Sequence, residues 1–103
     1  FLFNAPLLLF GSYAKLNPRT GSDIDLCVID LEDEKKFKNY IHEIELIHKV
    51  EINCMFFKKN EFKEMLFSKA HSLGKEILLN HIVIKNADLW YNFIAEVHDD
   101  IRV

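Results

Sequence analysis

Residues 11–30 read GSYAKLNPRTGSDIDLCVID. They divide into three parts. Gly11-Ser12 closes the apolar run Leu7–Phe10, which has the length and composition of a short buried strand. Residues 13–22 carry Asn17-Pro18 and Thr20-Gly21, both turn signals, so most of 11–22 is expected to be loop. Asp23–Asp30 alternates and is rich in branched residues, which predicts a second strand. Side chains alternate across a strand, so Asp23 and Asp25 share one face while Ile24, Leu26 and Val28 take the other. Two residues of strand span about 6.6 Å, so the two carboxylates can converge on a pair of ions about 3.5–4 Å apart.

The flanking sequence supplies the remaining elements. Glu32–Lys49 is predicted as a helix with Phe37, Tyr40, Ile41, Ile44 and Ile47 on one side and Glu32, Asp33 and Glu34 in its first turn. Val50–Phe57 reads as a third strand, with Val50, Ile52 and Cys54 on one face and Glu51 and Asn53 on the other. Asn60 reads as the N-cap of a helix through about Ser72, with Phe62, Met65, Leu66 and Ala70 inward, and Gly74 then interrupts. Ile77–Ile84 fits either period, with a short strand favoured at Ile82–Ile84. Ala87–Val97 is a last helix with Leu89, Trp90, Phe93, Ile94 and Val97 inward. This order predicts an α/β (α+β) fold, a small mixed sheet with helices on one face.

If the third strand lies beside the second, Glu51 joins Asp23 and Asp25 in a cluster of three carboxylates. Two carboxylates about 5 Å apart repel by roughly 3 kcal/mol at an effective dielectric near 20. Such a cluster calls for a cation, and an all-oxygen set suits Mg²⁺, with Mn²⁺ able to replace it. A glycine after a strand lets backbone amides approach a phosphate, and the Ser12 hydroxyl adds a donor. A phosphate turn beside paired carboxylates is the equipment of two-metal nucleotidyl transfer.

Composition narrows the classes. The 103 residues make one domain, 1–103, and half of them are apolar, enough for a core. With 13 basic and 16 acidic side chains the net charge is -3, which argues against a duplex-DNA binder. No apolar run reaches the roughly 18 residues of a membrane span, and Phe1–Phe10 lacks the basic flank of a secretion signal. Cys27 and Cys54 lie in apolar runs and read as reduced core residues of a cytoplasmic protein. The five histidines show no metal-ligand spacing, and no Ser/His/Asp set is identifiable. Lys15 and Arg19 are candidate phosphate contacts and Tyr13 a candidate base-stacking residue; Asp30 reads as a strand-end or helix-cap residue.

Gly11-Ser12, ten intervening residues, Asp23-Ile24-Asp25 and the later Val50-Glu51-Ile52-Asn53 together resemble the signature of the minimal nucleotidyltransferases in the DNA polymerase β superfamily. The resemblance covers roughly Leu7–Phe57. It implies that Gly11 and Ser12, with Lys15, hold a nucleoside triphosphate. It implies that Asp23 and Asp25 ligate two Mg²⁺ ions, and that Glu51 ligates one and helps activate the acceptor. The sequence departs from the family pattern at Leu16, where a glycine is usual, and at Glu51, where an aspartate is usual. It also lacks the helix that normally precedes the first strand. The chain opens at Phe1, so part of the domain is expected to lie outside it.

The minimal family members are often paired with a HEPN-domain protein. The resemblance therefore implies an antitoxin that transfers AMP from ATP to a hydroxyl on a HEPN ribonuclease toxin, within a homo- or hetero-oligomer. Two alternatives stand beside it: a non-catalytic nucleotide-binding antitoxin acting by contact, and a nucleotidyltransferase acting on a small molecule.

Overall fold

The computed structural model describes residues 3–14 and 23–101. Leu7–Phe10 (β1) is followed by a single helical turn, Gly11–Ala14 (α1). Ile24–Ile29 (β2), Glu34–His48 (α2) and Ile52–Phe57 (β3) come next. Lys59–Phe67 (α3), Leu73–Leu79 (α4), Ile82–Lys85 (β4) and Ala87–Ile101 (α5) complete the order. The strands form one sheet in the order β3-β2-β1-β4. β1 is antiparallel to both β2 and β4, while β2 and β3 are parallel, joined through α2 as a parallel pair must be by a crossover. The mixed sheet and the α/β class agree with the sequence reading.

Helices cover both faces of the sheet, not one as expected. The reason is that β2 is apolar on both sides beyond Asp25. Cys27 and Ile29 pack with Leu8 and Phe10 against Phe62 of α3, Ile77 of α4 and Trp90, Phe93 and Val97 of α5. Leu26 and Val28 pack on the opposite face against Phe37 and Ile41 of α2. Rings of Phe62, Trp90 and Phe93 meet edge-on or tilted at centroid distances of 5.9–6.2 Å, which adds specific aromatic contact to the burial. Burial pushes the Cys27 thiol, with Cys54 beside it, and the Cys54 thiol up to about 12, so both stay protonated at neutral pH.

Local chemistry sets the element ends. The Asp33 carboxylate accepts from Lys36 N–H at 3.0 Å and caps α2, and Lys49 closes it in the left-handed region. α3 begins at Lys59 rather than at a cap on Asn60, because the Glu61 carboxylate reaches back to Lys58 N–H at 2.8 Å. The helix expected to reach Ser72 ends at Phe67, and a second helix starts at Leu73. Ser72 caps the second, accepting from Lys75 N–H at 3.3 Å, and donates to Met65 O at 2.8 Å. Gly74 is inside α4, where a Cβ would lie 2.7 Å from the Met65 Cβ, so it allows close crossing of α3 and α4 rather than breaking a helix. Asn86, just after β4, donates to Phe3 O and Ala5 O at 2.9 and 2.8 Å and ties the segment before β1 to the sheet. No helix among the described residues is long and apolar enough to cross a membrane.

Candidate active site at the start of the second strand

The register of the sheet assembles the site. β1 ends at Phe10, which pairs with Asp25 across the antiparallel ladder. The chain then turns into α1 through Gly11, whose φ of 73° is in the region that disfavours side chains. Its lack of a Cβ has a second cause. A Cβ there would stand 2.3 Å from Asp25 Oδ2 and 3.2 Å from its Cγ. The glycine expected to admit a phosphate therefore also admits a carboxylate. Ser12, partly exposed, follows in the same turn. Lys15 and Arg19 lie outside the described residues.

On the other side of β2, the parallel register pairs Asp25 with Asn53 and Ile24 with Ile52. Ile24 N–H donates to Glu51 O at 3.0 Å, which sets Glu51 alongside Asp23. Glu45, in the last turns of α2, accepts from Ile52 N–H at 3.0 Å and fixes the entry into β3. The Glu51 carboxyl is pushed above the usual glutamate range. Its hydrogen bond with Asp23 is the main cause, followed by the Asp23 charge, a small desolvation and Glu45.

Asn53 joins the two aspartates. Its Nδ2 donates to Asp23 Oδ2 at 2.9 Å and to Asp25 Oδ1 at 3.4 Å. The sequence places Asn53 on the Glu51 face but gives no role to it. The signal for one is its place two residues after Glu51 on a strand beside Asp25, and that signal needs the register to be read. Gly11, Ser12, Asp23, Asp25 and Glu51 thus gather at one end of the sheet. They do so as linked pairs: among the described residues, no three His, Cys, Asp or Glu side chains form a ready-made metal-ligand group. The acidic side chains offer carboxylate oxygen, which fits a hard divalent cation such as Mg²⁺ or Mn²⁺. Asp30, at the far end of β2, takes a left-handed φ of 62° and accepts from Lys59 N–H at 3.3 Å, at the start of α3.

Residues 5–89 match the family described as Polymerase beta, Nucleotidyltransferase. The chain belongs to this family. Its nucleotidyltransferase domain is also similar in fold to a chain from a crystal structure of a toxin–antitoxin with AMP-PNP. That likeness has a TM-score of 0.60 at 16% identity and covers 96% of this chain and 76% of that one. No curated protein matches the sequence. Within the nucleotidyltransferase domain, the matched span holds Gly11, Asp23, Asp25, Glu51 and Asn53 together. The acidic end of β2 and β3 is therefore part of the family's own region and not an appendage to it.

Proposed function

We propose that this nucleotidyltransferase transfers AMP from ATP to a hydroxyl on a partner protein, and that the partner is a HEPN ribonuclease toxin for which the chain is the antitoxin. The observation that carries the reading is the convergence of Asp23 and Asp25 beside the Gly11 turn. The toxin–antitoxin setting is supported by the fold neighbour, whose structure contains AMP-PNP.

In this reading Gly11 and Ser12 receive the triphosphate, through backbone amides and the Ser12 hydroxyl, and Lys15 adds charge to it. Asp23 and Asp25, with Glu51, hold Mg²⁺. Two bound ions would lower the acceptor's pKa and neutralise the leaving pyrophosphate. The acceptor oxygen bonds to the α-phosphorus as the bond from that phosphorus to the bridging oxygen breaks, and pyrophosphate departs. Glu51 also helps activate the acceptor, whose proton leaves to the Glu51 carboxylate or to solvent. The protein's share of the rate then comes from orientation and charge complementarity.

A second reading, an antitoxin that binds nucleotide and acts by contact, is favoured by Glu51 standing where the family pattern usually has an aspartate. One experiment separates the two. The chain is incubated with Mg²⁺, ATP labelled on its α-phosphate and a candidate HEPN ribonuclease partner. AMP transfer predicts label on a partner hydroxyl, lost in Asp23→Ala/Asp25→Ala. Inhibition that persists in that variant with no label on the partner contradicts transfer and selects contact.

A further inference from the structure

Asn53 occupies an unusual place for a strand residue. Its single NH₂ group serves two carboxylates on the neighbouring strand, Asp23 Oδ2 at 2.9 Å and Asp25 Oδ1 at 3.4 Å. An amide NH₂ has two N–H donors, so one group can satisfy both. A donor shared by two like-charged groups does what a cation between them would do, since it places positive partial charge where their fields add. The backbone behind it is fixed. Ile24 N–H is bonded to Glu51 O and Ile52 N–H to Glu45 Oε2, so β3 cannot slide relative to β2 without breaking both. The side chain itself is exposed.

We infer that Asn53 is a positioning residue with two settings. Without a cation, Nδ2 faces Asp23 and Asp25 and keeps the two carboxylates aimed at one point. With a cation, a half-turn about Cβ–Cγ exchanges Nδ2 for Oδ1 at the same place, with no backbone movement. The amide oxygen then becomes a further ligand beside the carboxylates. An amide carbonyl is a normal ligand for hard cations. The inference rests on the assignment of Asp23 and Asp25 to a divalent-cation site.

The test is Mn²⁺ binding to the full chain, followed by electron paramagnetic resonance and calorimetry, with no nucleotide and no turnover. Wild type, Asn53→Leu and Asn53→Asp are compared after circular dichroism has shown that each is folded. Leucine keeps the size and removes the amide, so its Mn²⁺ affinity is expected to fall by about ten-fold or more. Aspartate offers oxygen without turning, so Asn53→Asp is expected to bind at least as tightly as wild type. Its cation-free melting temperature should fall below that of wild type and recover with Mn²⁺, because it adds a carboxylate to an acidic pair. Wild-type affinity in Asn53→Leu would overturn the inference and leave the cation site standing. Asn53→Asp binding as weakly as Asn53→Leu would overturn the ligand role of the oxygen. Wild type binding no Mn²⁺ would overturn both the inference and the site on which it rests.

Discussion

The two halves of β2 differ sharply although they lie on one strand. Asp25, Cys27 and Ile29 share a face. Cys27 and Ile29 are 0% exposed under α3, α4 and α5, whereas the half-buried Asp25 carboxylate faces the Gly11 turn and the Asn53 amide. The change comes where β1 stops. Phe10 is the last residue of β1 and pairs with Asp25, and the residue after it has no side chain. A sheet face that would otherwise continue as core is thus left open for carboxylates. The difference teaches that the site is made by ending a strand early, so its chemistry and the stability of the fold should be separable by substitution.

The largest expected effect on the core half is from Ile29→Ala. It removes a fully buried side chain from the main core, and should cost about 2–5 kcal/mol in urea unfolding. Cation and nucleotide affinity per folded molecule should stay unchanged; a parallel loss of affinity would break the separation between the halves. Gly11→Ala is next and acts at the boundary. The added Cβ is strained at a φ of 73° and collides with Asp25 Oδ2. A stability loss of about 1–2 kcal/mol is expected, together with weaker Mn²⁺ binding, because the carboxylate must move. Unchanged Mn²⁺ binding would show that Asp25 is not held by this contact.

The smallest effect is at Glu51. Its folded-state proton affinity is raised above the ordinary value of 4.5 by Asp23. The folded state therefore holds the proton more tightly than the unfolded chain. The resulting stability is present below about that value and is lost as pH rises through the folded-state pKa. In EDTA, wild type should lose stability over that rise while Glu51→Gln stays flatter and is the more stable at neutral pH. Equal slopes in the two proteins would show that the Asp23–Glu51 contact does not persist in solution.

Much of this arrangement is legible in the sequence because its signals are local. Gly11-Ser12 after an apolar run, and Asp23-Ile24-Asp25 opening an alternating one, need only strand periodicity to be placed. Phe37 and Ile41, or Trp90, Phe93 and Val97, announce their helices by spacing alone. What escaped depends on pairings between distant elements. Asn53 gains its role from the parallel register with Asp25, which no residue near it encodes. Gly74 reads as a breaker until α3 is laid across it and Met65 fills the space a Cβ would need. The second helical layer was hidden because Cys27 and Ile29 follow Asp25 on a face whose first residues are acidic.

The central claim is that the opened end of β2 is a cation-dependent nucleotide site. Calorimetric titration of Mg²⁺–AMP-PNP into wild type and Asp25→Asn tests it most directly. The account predicts binding to wild type that disappears in EDTA and is abolished in Asp25→Asn, with the variant's unfolding midpoint close to that of wild type. Equal affinity in the two proteins, or binding that persists without a divalent cation, would contradict it.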